Sequence, residues 1–117
     1  MEKIMKRYIV VKTQFEGIHS WPECPYGDVS FLRFPHRHIF HVTVRVSVSD
    51  SRDIEFIRFK RKLDSWINSK LILFGSCDAF LGTVSCEDIC DKIHEAFPEA
   101  VYIQVMEDNE NGAELIV

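Results

Sequence analysis

The sequence lacks several features that would place it at once in a large class of proteins. No stretch approaches the roughly 18 apolar residues that a membrane-spanning helix requires, and the apolar run near the start is too short for a secretory signal. An excess of positive charge is also missing, because the net charge is -4 at pH 7. We therefore expect neither a nucleic acid nor a membrane as a partner, and we expect a cytoplasmic location.

Cysteine is present, but not in a pattern that favours a disulfide or a thiolate metal site. None of the four cysteines forms a C-x-x-C pair, and Cys86 and Cys90 are four positions apart on a predicted helix. Without an export signal, reduced thiols in a cytosol are the simplest interpretation. The composition is that of an ordinary globular protein, and the length predicts one domain, residues 1–117.

Alternation of apolar and polar residues predicts two long strands in the first half of the chain. Residues 8–19 alternate clearly, and residues 36–49 give the strongest strand pattern, with a valine at every second position from 42 to 48. The segment between them, 20–35, contains three prolines and no sustained period. It is therefore predicted to be a loop.

The second half of the chain alternates between helical and strand patterns. Apolar residues recur at helical spacing over 56–70, and again over 85–97 behind an S-x-x-D start. We predict a loop over 71–84, a strand over 100–107 and a short final strand over 114–117. The order β-β-α-α-β-β predicts an α+β fold, a four-stranded antiparallel sheet with two helices on one face. Its unpaired edges favour assembly with other copies of the chain.

Three histidines are candidate metal ligands. His36 and His38 are two positions apart on a strand, so both project from one face. His19 reaches the same face if the first two strands pair antiparallel. Three neutral imidazoles leave a fourth position open, which is typical of a catalytic zinc site. Alternatively, the histidines belong to the core and hydrogen bond to the backbone, and spacing alone leaves both interpretations open.

Glu107 is the second chemical signal, because it shares the apolar face of its strand with Val101, Ile103 and Val105. A carboxylate in that place requires a partner. It can accept two N–H bonds from a flat heterocycle that carries an amino group beside a ring N–H, as pterins and guanine do. The alternative is that Glu107 lies just past the end of its strand and is solvated.

Five short motifs occur in order: F-E-G-I-H at 15–19, H-R-H at 36–38, E-F at 55–56, V-S-C-E at 84–87 and V-M-E at 105–107. Together they resemble the 6-pyruvoyl-tetrahydropterin synthase / 6-carboxy-tetrahydropterin synthase family over nearly the whole chain. The resemblance implies the tunnelling fold, in which three subunits join their sheets into a barrel and two such rings stack into a hexamer. It also implies a zinc-dependent carbon–oxygen lyase that acts on 7,8-dihydroneopterin triphosphate.

The resemblance assigns roles to individual residues. It implies a Zn²⁺ cofactor that is held by His19, His36 and His38. The residues that it assigns to the ligand are Ser85, Glu87 and Glu107, the last contributed by a neighbouring subunit to anchor the ring. The implied partners are a small-molecule pterin or purine-like ligand and other copies of the chain, in a trimer or hexamer.

Three proton-transfer groups of the family are missing from the sequence. The usual cysteine position is Leu32, and the usual aspartate–histidine pair falls on Leu71 and Ile72, none of which can move a proton. Cys24 is a candidate catalytic thiol in a displaced position, and Asp78 is a candidate acid, although both can equally be ordinary loop residues. The sequence therefore leaves open a divergent lyase, a non-catalytic binder of a pterin or guanine-like nucleotide, and a purely structural ring.

Overall fold

The strand and helix patterns of the sequence produce an α+β structure. The computed structural model describes residues 5–72 and 80–117. Within them the elements are β1 (Arg7–His19), β2 (His36–Val48), α1 (Phe56–Trp66), β3 (Phe80–Gly82), α2 (Cys86–Ala96), β4 (Ala100–Glu107) and β5 (Asn111–Ile116). A 3-10 helix, Gly27–Arg33, lies between β1 and β2, and one π-helical turn, Ile67–Leu71, continues α1.

The strands form one open, mixed sheet in the order β3-β1-β2-β4-β5. The pairs β1–β2, β2–β4 and β4–β5 are antiparallel, whereas β3 is parallel to β1. The predicted four-stranded, fully antiparallel sheet is therefore wrong in its strand number and in one pairing. The reason is that β3 has only three residues, too few to show alternation, and it pairs only with the end of β1 at Ile18 and His19.

Both helices cover one face of the sheet, as predicted. α1 lies against β1, and α2 lies against β4 and β5. The largest side chains that are fully buried between the helices and the sheet include Phe40, Leu63, Ile67, Ile89, Ile93 and Ile103. Burial of each such side chain contributes about 1.5–3 kcal/mol relative to its exposure, so this layer supplies most of the driving force for folding.

Element boundaries differ from the sequence patterns mainly in the loops. The predicted loop over 71–84 contains β3, and its residues 73–79 lie outside the described residues. β5 begins at Asn111 rather than at 114, because backbone pairing does not require side-chain alternation. Gly112 permits that pairing, since a Cβ at this position would lie 1.9 Å from the Val105 carbonyl oxygen. Within the two described segments, no helix is both long and apolar enough to cross a membrane.

The sheet register brings the chemically interesting residues to one end. His19 pairs with His36 where β1 ends and β2 begins. Phe40 pairs with Glu107, so the end of β4 reaches the same region from the other side of β2. Ser85, the N-cap of α2, lies three residues after the end of β3 and borders the same region.

Candidate metal centre

The three predicted histidine ligands lie together on the helix-covered face of the sheet. The candidate ligand nitrogens of His19, His36 and His38 all lie within 4.8 Å of one another. Their ring centroids are separated by 4.5 to 5.4 Å. His19 is only 7% exposed, whereas the other two are partly exposed. The cluster therefore has a buried side and an open side.

Backbone carbonyls orient two of the three imidazoles. The Nδ1 atom of His19 is 2.8 Å from the Val84 carbonyl oxygen, and that of His36 is 2.8 Å from the Phe34 carbonyl oxygen. A carbonyl can only accept, so in each neutral ring the hydrogen lies on Nδ1. The lone pair of Nε2 is consequently free in both residues, which is the state in which histidine binds a metal.

A carboxylate orients the third imidazole. The Nδ1 atom of His38 is 2.7 Å from Oδ2 of Asp108, and the other carboxylate oxygen accepts a 2.9 Å bond from the Ile39 N–H. The hydrogen bond from His38 is the main cause, and that from the Ile39 N–H the second, that holds the pKa of Asp108 below its ordinary value. Asp108 is thus an acceptor only, and His38 also keeps its Nε2 lone pair free.

Glu107 faces two of these free lone pairs within the same chain, whereas the resemblance implied a glutamate from a neighbouring subunit. Its carboxylate oxygens lie 3.2 Å from Nε2 of His19 and 3.4 Å from Nε2 of His38. Both contacts lack hydrogen-bond geometry, and in the described part of the chain the two buried Nε2 atoms have no hydrogen-bond partner. A nitrogen lone pair that faces a carboxylate oxygen in this way is unfavourable unless a proton or a metal cation lies between the two atoms.

The contact between His19 and Glu107 shifts the pKa of both residues. Burial by itself lowers the pKa of His19, but Glu107 and the Val84 carbonyl outweigh burial and hold the pKa above its ordinary value. The pKa of Glu107 is held below its ordinary value, chiefly by His19. The Glu107 carboxylate thus favours a positive charge, either a proton or a metal cation, at Nε2 of His19.

A cavity of about 540 Å³ opens beside the histidines. The residues predicted to form the site that line this cavity are His19, His36, Ser85, Glu87 and Glu107. The Ser85 hydroxyl oxygen accepts a bond from the Asp88 N–H, and the Asp88 carboxylate accepts one from the Ser85 N–H. Ser85 therefore fixes the start of α2 at the cavity wall through a capping box.

The positions of the missing or displaced proton-transfer groups are mostly away from this cavity. Cys24 is buried at 2% exposure, its thiol is directed at loop carbonyls, and it is not among the described residues that line the cavity. Leu32 does line it. Leu71 and Ile72 belong to the apolar core or pack against it. Asp78 lies outside the described residues.

Sequence reasoning missed two side chains of the site. One is Asp108, and the other is Cys86, which the sequence placed on a predicted helix without a role in the site. Cys86 is buried, but it also lines the cavity, and its Sγ lies 3.7 Å from Oε1 of Glu107. Burial, and then the Glu107 charge, raise the pKa of Cys86 to about 12. Cys86 is therefore a neutral donor to the carboxylate and not a thiolate.

The chemistry of the donors fits a divalent transition metal. Neutral imidazole is a ligand that zinc prefers, and three such ligands with orienting partners leave a position open toward a cavity. Magnesium and calcium prefer oxygen ligands, so three nitrogens argue against either.

No family model and no curated protein matches the chain. Among solved structures, the crystal structure of uncharacterized protein WS1659 from Wolinella succinogenes is similar, with a TM-score of 0.66 and 14% sequence identity. The match covers 97% of this chain and 99% of that chain. At this identity the likeness extends to the fold alone, so any function must be argued from the site itself.

Proposed function

We propose that the protein holds one zinc ion with His19, His36 and His38 and binds a reduced pterin or a guanine-like ring in the adjacent cavity. Two observations support the metal assignment: the candidate ligand nitrogens lie within 4.8 Å of one another, and an acceptor occupies each Nδ1 atom, which leaves the Nε2 lone pairs available. The ligand class rests on the resemblance of the motifs to the pterin synthase family and on the carboxylate at the cavity wall.

Glu107 has two roles in this proposal. Its carboxylate faces His19 and His38. With a metal on the Nε2 lone pairs, the Glu107 carboxylate would no longer share a proton with His19 and could accept two N–H bonds from the ring. The S–H group of Cys86 helps to orient that carboxylate. The same residue thus links occupancy of the metal site to recognition of the ring.

The first candidate function is a zinc-dependent carbon–oxygen lyase that acts on a dihydroneopterin-triphosphate-like pterin. Bound zinc would polarise the side-chain oxygens of the ligand. The open side of the histidine cluster beside a 540 Å³ cavity supports this proposal, because a purely structural zinc site is closed. The proton-transfer residue is not identified, and Cys24 stays a prediction in that role.

The second candidate function is a non-catalytic binder of a pterin or a guanine-like nucleotide. Leucine lines the cavity at position 32, where the family has its cysteine, and apolar core residues occupy 71 and 72. None of these three side chains can transfer a proton.

Metal content tests the metal assignment directly. We expect elemental analysis to find about one zinc per chain in the purified protein and almost none in His36→Ala. The matched control is His41→Ala, since His41 lies on the same strand but projects from the opposite face. Equal zinc in both variants would exclude the assignment.

Incubation with dihydroneopterin triphosphate separates the two candidate functions. Continuous release of triphosphate that His36→Ala abolishes would identify a lyase. No release, together with a co-purified ultraviolet-absorbing ligand that is lost in Glu107→Ala, would identify a binder. Neither release nor a ligand, in a protein that contains zinc, would contradict both.

We also propose that several copies assemble through their sheet edges, as a trimer or hexamer, in the cytoplasm. β3 pairs with β1 only at Ile18 and His19, so within the described chain the rest of that edge of β1 has no strand beside it. The described cysteines are all free thiols, consistent with a reducing compartment. Light scattering during size-exclusion chromatography tests the assembly, and a mass near 13.7 kDa would contradict it.

A further inference from the structure

We infer that Asp108 is a positioning residue, which sets the tautomer of His38 so that its Nε2 lone pair faces the metal site. The effect of Asp108 on metal binding rests on the proposed function, whereas its effect on the tautomer does not. Asp108 is one residue beyond the predicted ring anchor, and no motif of the sequence marked it.

The geometry commits both oxygens of the Asp108 carboxylate. One accepts from Nδ1 of His38 at 2.7 Å, and the other accepts from the Ile39 N–H at 2.9 Å. The Asp108 N–H in turn donates to the Ile39 carbonyl at 2.7 Å. The carboxylate is therefore fixed in orientation by the backbone of β2, and it fixes the ring of His38.

Asp108 differs in kind from the other two acceptors. His19 and His36 donate to backbone carbonyls, which a side-chain substitution cannot remove. For His38 the acceptor is a side chain, and it carries a charge. A carboxylate on the far nitrogen increases the basicity of an imidazole ligand, and loss of such a partner typically lowers metal affinity by about 10- to 100-fold.

Asp108→Asn is the sharpest test, because it changes one acceptor and preserves the turn. Asp108 has a φ of 52°, in the left-handed region that asparagine also tolerates. The amide offers one acceptor oxygen to two donors, the His38 ring and the Ile39 N–H. If the oxygen serves the backbone, the NH₂ group faces Nδ1 and moves the ring hydrogen to Nε2.

We expect two results from Asp108→Asn. Nitrogen-15 NMR of the metal-free protein should show His38 as the Nδ1–H tautomer in the wild type and as wholly or partly Nε2–H in the variant. Zinc affinity, measured by competition with a chromophoric chelator, should fall by about 10- to 100-fold. Asp108→Gly also tolerates the left-handed φ, and it should lower affinity about 10-fold by leaving Nδ1 to water.

Glu110→Gln is the matched control, since it removes the same charge from an exposed residue of the same turn. It should leave the tautomer unchanged and the zinc affinity within about twofold. The inference is overturned if Asp108→Asn retains the Nδ1–H tautomer, or if Glu110→Gln lowers affinity equally. If the wild type binds no zinc but the tautomer changes as expected, the proposed function fails and the inference about Asp108 stands.

Discussion

The two ends of β2 carry different side chains on the same, helix-covered face of the sheet. From Phe40 to Val48, alternate side chains are apolar and buried under the helices. At His36 and His38 the same face carries imidazoles, and the buried Nε2 atom of His38 has no hydrogen-bond partner in the described chain. A buried polar atom without a partner costs about 1–3 kcal/mol. One end therefore contributes apolar burial to the fold, while the other places a polar nitrogen where it requires a partner.

Phe40 and Gly17 form the boundary between the two ends. The ring of Phe40 packs edge-on against the rings of His19 and His38, with centroid distances of 5.3 and 5.8 Å. Gly17 pairs with His38, and a Cβ at position 17 would lie 2.7 Å from Phe40 and 2.6 Å from Leu81. The absent side chain of Gly17 thus lets the apolar core approach the histidines closely.

The largest expected effect is on stability at the apolar end. Ile103→Ala removes a fully buried side chain and should lower the free energy of unfolding by about 2–5 kcal/mol in a urea titration. Ile57→Ala is the control, because Ile57 is 52% exposed and should change stability by less than about 0.5 kcal/mol. Zinc content per folded chain should stay unchanged in Ile103→Ala. A loss of zinc in this variant would mean that metal binding depends on packing at the apolar end.

Zinc should stabilise the folded protein only through the end of β2 that carries His36 and His38, the polar end. At a free zinc concentration about 100 times the Kd, binding to the native state adds about 2.7 kcal/mol to the free energy of unfolding. We expect this gain in the wild type and in His41→Ala, and we expect it to vanish in His36→Ala. A gain that survives in His36→Ala would place the ion elsewhere.

Substitution at the boundary should affect both ends. Gly17→Ala forces Phe40 and Leu81 to move, so we expect a loss of about 1–3 kcal/mol in unfolding free energy, together with weaker zinc binding. Gly27→Ala is the control, since a Cβ there meets nothing within 4 Å. If Gly17→Ala lowered the free energy of unfolding but left zinc affinity unchanged, the packing of Phe40 would have no influence on the metal site.

The smallest expected effect is a pH dependence of the metal-free protein. The raised pKa of His19 contributes stability below its ordinary 6.5, which is lost as pH rises through the folded-state pKa. The lowered pKa of Glu107 contributes stability above its ordinary 4.5, which is lost as pH falls. The free energy of unfolding of the wild type should therefore exceed that of Glu107→Gln by at most about 1 kcal/mol, and the difference should be largest between about pH 4.5 and 6.5.

Denaturant titrations of both proteins with a chelator present, at pH 5.5 and 9, measure this difference. An equal difference at the two pH values would contradict the pairing of Glu107 with His19. Zinc affinity should change in the opposite direction and rise with pH, because protons compete for the same nitrogen atoms.

The sequence predicted those parts of the fold that depend on local pattern. The alternation in β1 and β2 predicted both strands and the face that their histidines share, because side-chain direction in a strand repeats every two residues. The S-x-x-D start likewise predicted the N-terminus of α2. The short strand β3 escaped prediction, since three residues carry no period and their pairing with β1 is decided by tertiary structure.

The supporting residues of the site could not be predicted for a different reason. Asp108 meets His38 only because β2 pairs with β4 in one particular register, and a slip of one residue would move every side chain of β4 to the other face. The carbonyl groups of Phe34 and Val84 are backbone atoms, which are present at every position and so carry no sequence signal. The burial of Cys86 agrees with the helical pattern of α2, but its contact with Glu107 depends on where β4 ends beside the helix.

The hydrogen-bond partners that orient His19 and His38 are 65 and 70 positions away along the chain. Contacts of such long range carry the entropic cost of ordering the long loop between the partners, so we expect them to form late during folding. In a nascent or partly refolded chain, His19 and His38 therefore lack the acceptors that orient their rings, whereas the partner of His36 is only two positions away. If the proposed site binds zinc, uptake of zinc should follow completion of the sheet, so that zinc would stabilise a chain that has already folded and would not start its folding.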